Sequence, residues 1–284
     1  MEIVETLPEL RRIVGGFRAR GERIALVPTM GNLHAGHYSL IELGKHQAQR
    51  TIATAFVNPT QFGPNEDFAR YPRTPEDDAR GLATAGCDVL FRPTVETMYP
   101  FGADHCVKVQ VPGLTDELEG AQRPGHFDGV ATVVLRLINM AQPDVAVFGR
   151  KDYQQLRVIQ FMAQELSLPV AIVPAPIARD HDGLALSSRN QYLDAAQRAI
   201  APELRRTLLA MREAWMAGAA LSDIEHAAQE RLTAAGFVVD YAQFRRRADL
   251  HRPKTGEREG LVILATARLG RTRLLDNLEL DAFE

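Results

Sequence analysis

Cysteine is scarce: Cys87 and Cys106 are the only two among 284 residues, too far apart for a close-spaced metal pair. Two reduced thiols of a cytoplasmic protein are expected, not a disulfide framework. Long hydrophobic runs are missing too. The longest apolar stretch, Val130–Ala141, is interrupted by Arg136 and falls short of the roughly 20 apolar residues that span a bilayer. The opening MEIVETLPEL carries Glu2 and Glu5 with no apolar run after them, so no secretory signal and no membrane partner are expected. Nor is there a basic excess. With 33 Lys and Arg against 36 Asp and Glu, the net charge is −3. That excludes the diffuse attraction on which non-specific nucleic-acid binding depends, and it leaves room for a local phosphate pocket. Finally, Gly-x-Gly occurs nowhere, which removes the dinucleotide fingerprint.

What remains is ordinary globular material, 45% hydrophobic and 24% charged. The length suits a larger α/β domain with a second, smaller one. Five apolar runs read as buried parallel strands: Ile24–Pro28, Thr51–Val57, Cys87–Phe91, Asp144–Phe148 and Val170–Pro174. Helical candidates lie between them at Gly36–Gln49, Pro75–Ala85, Gly129–Ala141 and Tyr153–Leu166. This βαβα order predicts a Rossmann-like, doubly wound parallel sheet over residues 1–176. After Pro174-Ala175-Pro176 the pattern changes to helical stretches at Asp194–Ala217 and Ser222–Ala235. Strand-like runs follow at Phe237–Phe244, Leu261–Ala267 and Thr272–Leu275. A smaller α+β domain is expected over residues 177–284. His251–Gly260 reads as a solvated loop.

The most informative segment is PTMGNLHAGH, Pro28–His37, directly after the first strong strand and leading into a helix. Free N–H groups at such a helix terminus attract anions, and Gly31 and Gly36 let the backbone approach a phosphate closely. His34 and His37, three apart, can share one face there. Several readings compete at this point. Gly31–Gly36 has P-loop glycine spacing, but His37 replaces the lysine and Tyr38 the magnesium-binding hydroxyl. A zinc site could use both histidines but lacks the zincin glutamate, and a plain turn needs no ligand. A histidine pair at this place resembles the HxGH nucleotidyltransferases and class I aminoacyl-tRNA synthetases, where it donates to the α- and β-phosphates of ATP. The downstream LSSRN, Leu186–Asn190, offers two hydroxyls and a guanidinium for a triphosphate tail.

Seven blocks in order closely resemble the pantothenate synthetase, or pantoate–β-alanine ligase, family. They are PTMGNLHAGH, FVNPTQF (Phe56–Phe62), YPRTPEDD (Tyr71–Asp78), RPGHFDGV (Arg123–Val130), FGRKDYQQL (Phe148–Leu156), DGLALSSRNQYL (Asp182–Leu193) and LLDN (Leu274–Asn277). The resemblance implies ATP-dependent condensation of (R)-pantoate with β-alanine through a pantoyl-adenylate. The expected products are pantothenate, AMP and pyrophosphate, with Mg²⁺ required. It also implies a homodimer. Because LSSRN lies beyond the Pro174–Pro176 boundary and PTMGNLHAGH before it, a bound triphosphate is expected to bridge the two domains, with the C-terminal one acting as a lid.

Carried over by position, the resemblance makes His37, His34 and Lys151 the catalytic set. The ATP site would comprise Met30, Gly31, Asn32, Leu33, His34, Ala35, Gly36 and His37, then Gly149, Arg150, Lys151 and Asp152, then Ala178, Leu186, Ser187, Ser188 and Arg189. Gln61 and Gln155 would hold pantoate, and Gln61 would also meet β-alanine. Asp77 and Asp78 would lie near the metal, although acids also favour the first turn of a helix. Arg123 is a candidate phosphate or dimer contact, His126 a structural hydrogen-bonder, and Met98 and Tyr99 packing residues. Two departures stand out: Arg150 where the family commonly has Glu or Gln, and Arg246 where an aspartate is common. A nucleotidyltransferase acting on a phosphate acceptor would share the first loop but need cations, not Gln61 and Gln155. A non-catalytic nucleotide-binding regulator would not need His34, His37, Lys151, Ser187 and Arg189 together.

Overall fold

Strands without a polar face must be covered on both sides, and the central strand β2, Ile24–Val27, is fully buried. The protein is described by a computed structural model, which covers residues 1–64, 66 and 68–280. Two compact units divide the chain. One is Met1–Arg150 with Gln154–Pro176; the other is Lys151–Tyr153 with the chain from Ile177 onward.

In the first unit β2 pairs in parallel with β3 (Arg50–Thr54) on one side and β5 (Val145–Gly149) on the other. With β1 (Glu2–Val4), β4 (Val89–Phe91) and β6 (Ala171–Ala175) the order is β1-β4-β3-β2-β5-β6, parallel throughout. The helices are α1 (Leu7–Ala19), α2 (Ala35–Gln47), α3 (Pro75–Thr84), α4 (Val95–Met98), α5 (Glu119–Gln122), α6 (His126–Ala141) and α7 (Tyr153–Glu165). Ala25, Val27, Ala53 and Val147 enter one apolar cluster with Leu40 and Ile41 of α2 and Leu82 of α3. The alternate residues Ile24, Leu26, Ile52 and Ala146 are equally buried, so the opposite face is covered as well. This is the doubly wound, Rossmann-like sheet that the apolar runs predict. Its strand order reverses between β2 and β5, the switch point at which such sheets bind ligands.

The second unit is α+β. Strands β7 (Val238–Arg246), β8 (Leu261–Leu269) and β9 (Thr272–Glu279) form an antiparallel sheet in that order. Leu204, Leu208, Ile224, Leu232, Phe244 and Ile263 share its core. The helical stretch expected as one piece over 194–217 is two helices, α8 (Ala195–Ile200) and α9 (Glu203–Met216), followed by α10 (Leu221–Ala234). Pro202 lies between α8 and α9, and its missing N–H interrupts the helical ladder. Cys87 and Cys106 are both free thiols. Among the described residues, no helix is long and apolar enough to cross a membrane.

Candidate active site

The loop after β2 ends in an unusual helix cap. His34 is the N-cap residue of α2, with extended backbone, where Ser, Thr, Asp or Asn is the ordinary choice. Its Nδ1 accepts the Gly36 N–H at 3.1 Å, and the His34 N–H donates to Nδ1 of His37 at 3.3 Å. The two rings lie 4.2 Å apart, centroid to centroid. Because a backbone N–H can only donate, both Nδ1 atoms are acceptors, and each neutral ring therefore carries its proton on Nε2. Two imidazoles are thus fixed as Nε2 donors at the positive end of a helix dipole.

The preceding turn is held from below. Gly31 has φ +82°, and a Cβ there would sit 2.9 Å from Oδ2 of Asp78. Asp78 is only 3% exposed. Its carboxylate accepts the N–H groups of Asn32 (2.9 Å) and Leu33 (2.8 Å) and the Thr74 hydroxyl (3.0 Å). Asp77 instead lies exposed and pairs with Arg80. The two acids named for a metal thus face different partners. Asp78 already accepts three hydrogen bonds, and among the described residues no group of three or more His, Cys, Asp or Glu could hold a metal.

Gln61 closes the 3₁₀ turn Pro59–Gln61 that follows β3 and is 8% exposed. Its Nε2 donates to Sδ of Met30 at 3.1 Å, joining this turn to the β2 loop. Its Oε1 accepts from Nδ2 of Asn58, whose Oδ1 accepts the Tyr99 hydroxyl at 2.7 Å. Met98 and Tyr99 are packed in the core as expected, and Tyr99 adds this hydrogen bond. Gln155 lies half-buried in the first turn of α7. Its neighbour Gln154 is the structural one, bonded to the Leu114 and Glu117 carbonyls and the Glu119 N–H. At the end of β5, Gly149 pairs with Ala175, and the Arg150 N–H donates to the Ala175 carbonyl. Arg123 is engaged within this unit by Glu66 and His126.

In the second unit, the LLDN block explains itself as a clamp. Asp276 and Asn277 are both 4% exposed. Asp276 takes Arg179 in a bidentate pair at 2.7 and 2.9 Å, and Asn277 donates to the Lys151 carbonyl at 2.9 Å. Leu186 N–H bonds to the Ala178 carbonyl, and Arg179 bridges to Ala185, so the chain carrying Ser187 returns on itself. Ser187 caps the 3₁₀ turn Ser188–Tyr192 by accepting the Arg189 N–H. The Lys151 ammonium lies 3.6 Å from Asp152. Lys151, Ser187, Arg189 and Asp276 line one small pocket. Arg246, the second departure, pairs locally with Asp249.

The sheet, with a histidine-capped helix at its switch point, defines an α/β protein of the doubly wound class. A family model for pantoate-beta-alanine ligase matches residues 2–279. Pantothenate synthetase of Xylella fastidiosa (strain M12) is 57% identical over 284 residues, covering 98% of this chain and 99% of its own. A crystal structure of pantothenate synthetase from Thermus thermophilus matches with a TM-score of 0.92 at 46% identity, covering 99% of both chains. The pantoate-beta-alanine ligase of Francisella tularensis, crystallised with beta-gamma ATP and β-alanine, matches with a TM-score of 0.82 at 30% identity. That match covers 100% of this chain and 99% of the other. The chain belongs to the pantoate–β-alanine ligase family and is an enzyme of that kind.

Proposed function

We propose that this chain joins (R)-pantoate to β-alanine in two steps, using ATP and passing through pantoyl-adenylate. In the first, a pantoate carboxylate oxygen bonds to the α-phosphorus and the bond to pyrophosphate breaks. In the second, the β-alanine amine attacks the adenylate carbonyl, a C–N bond forms, AMP leaves and the amine loses a proton. The observation that carries this reading is the His34–His37 pair, whose Nδ1 atoms accept backbone N–H groups and whose protons therefore reside on Nε2. Two such donors at a helix N-terminus suit the α- and β-phosphates, where charge grows as the bridging bond breaks. The complex of the Francisella tularensis relative with a nucleotide and β-alanine supports the same substrates.

Each remaining residue has a chemical part in the proposal. Lys151 offsets the repulsion between the carboxylate and the phosphate as they meet. Gln61 and Gln155 hydrogen-bond pantoate without adding charge, and Gln61 also meets β-alanine. Ser187, Ser188 and Arg189 take the departing pyrophosphate. Magnesium enters as part of the nucleotide substrate, since Asp78 is occupied by Asn32, Leu33 and Thr74. A cytoplasmic homodimer completes the reading. The test is exchange of labelled pyrophosphate into ATP. Exchange that requires pantoate but not β-alanine is the expected result. Exchange without pantoate, or only with both acids, overturns the adenylate route.

A further inference from the structure

Gln61 is held twice, once by its side chain and once by its main chain, and the second clamp belongs to no step above. The Gln61 carbonyl faces Nδ1 of His126 at 2.8 Å and Nη2 of Arg123 at 3.4 Å. On its other side the His126 ring presents Nε2 to Nη1 of Arg123 at 2.9 Å. Arg123 in turn grips Glu66 through two bonds of 2.6 and 2.5 Å. The protons can be assigned from these partners alone. A carbonyl only accepts, so Nδ1 carries a hydrogen; a guanidinium only donates, so Nε2 carries none. The ring is thus neutral and fixed in one tautomer. Gly129, one turn along α6, brings the helix against the same peptide. A Cβ there would run into the Thr60 carbonyl and lie 2.6 Å from the Gln61 Cα.

We propose that His126 is a positioning residue for substrate binding, holding the Gln61 peptide so that the Gln61 amide meets pantoate in one orientation. This rests on the reading of Gln61 as a pantoate ligand. An amide on a three-residue turn swings if its own peptide rotates, and a substrate-binding group gains from being oriented in advance. Glu66 and Arg123 complete the relay by keeping Nε2 an acceptor. Burial and the Arg123 charge both oppose protonation of the ring, while Glu66 and Glu119 partly offset them. Acid would put a proton on Nε2 against the guanidinium and loosen the clamp.

The test uses the full chain and four variants. Asparagine can place its Nδ2 where the histidine has Nδ1, whereas glutamine cannot. His126→Ala and His126→Gln are expected to raise the KM for pantoate roughly tenfold, the scale of one lost buried hydrogen bond, with the KM for ATP within about twofold. His126→Asn is expected to recover most of that loss. Its pantoate KM should also no longer climb as the pH falls toward 4, as the parent's should. Gln61→Ala is the control for the underlying reading. If Gln61→Ala leaves the pantoate KM unchanged, Gln61 is no pantoate ligand and the inference falls with that reading. If Gln61→Ala raises it while the His126 variants do not, the reading stands and the positioning role is overturned. Should His126→Ala not fold, the contrast between asparagine and glutamine decides. Equal pantoate KM values for those two also overturn the proposal.

Discussion

Asp78 accepts the main-chain N–H of Asn32 at 2.9 Å from 46 positions further along the chain, so an acid on α3 fixes the turn that precedes the histidine cap. Asn32 has φ +51° and Gly31 φ +82°. Left-handed conformations in succession persist only where the surroundings hold them. Asp78→Asn puts an N–H₂ against these donors and leaves a buried N–H unsatisfied, at a cost of about 1–3 kcal/mol. A lower urea midpoint together with a higher KM for ATP is expected. Added magnesium should restore neither; recovery with magnesium would instead make Asp78 a metal ligand.

His37→Ala removes one of the two Nε2 donors and the acceptor for the His34 N–H. One lost donor to a developing phosphate charge costs roughly 3 kcal/mol, about a hundredfold in kcat. Circular dichroism should show an intact fold. Near-normal turnover of the purified variant would remove His37 from the catalytic set.

Arg189→Ala separates the two steps. If Arg189 serves the departing pyrophosphate, adenylation from ATP and pantoate should fall by about a hundredfold. Chemically supplied pantoyl-adenylate should still react with β-alanine near the parent rate. A single-turnover assay from that intermediate decides the matter, because equal impairment in both assays assigns Arg189 to the acyl step or to the fold.

Acid stability follows from His126. Its folded-state value is held from an ordinary 6.5 down to about 4, by burial first and Arg123 second. Between those values the unfolded chain binds a proton that the fold refuses. Stability from this group is therefore complete above about pH 6.5 and is lost as the pH falls toward 4. The urea midpoint of the parent should drop across that window more steeply than that of His126→Asn. Parallel curves would show that the ring titrates normally.

Much of this fold was legible because five of the six parallel strands are apolar nearly throughout. The sixth, β1, escaped because it is a three-residue edge strand in which only Val4 is buried. Strand β9 runs to Glu279, past its expected end at Leu275. Asp276 and Asn277 look like turn residues, but they are buried strand residues satisfied by Arg179 and the Lys151 carbonyl. Helix α6 begins at His126 and not at Gly129, since Gly125 at φ +79° turns the chain in ahead of it. At the site, the histidine loop announced itself by residue type and place. The support from Asp78 and Asn58 did not, because each acts through another residue's backbone or amide, and such pairing leaves no local spacing to read; His126 was legible as a structural hydrogen-bonder, but its partner, the Gln61 carbonyl, was not.

Strand β2 acquires its β5 neighbour from far along the chain: Ala25 pairs with Val145 and Leu26 with Ala146. During synthesis the histidine loop leaves the ribosome early, yet one wall of the switch point does not exist until β5 has followed it. Parallel pairing over that separation is slow, and domains fold as units once their last strand arrives. If the nucleotide binds at this switch point, as proposed, it has nothing complete to bind on a nascent chain that stops short of β5. Substrate bound there would stabilise the N-terminal unit only after its central strand pair has closed, by mass action on the folded form.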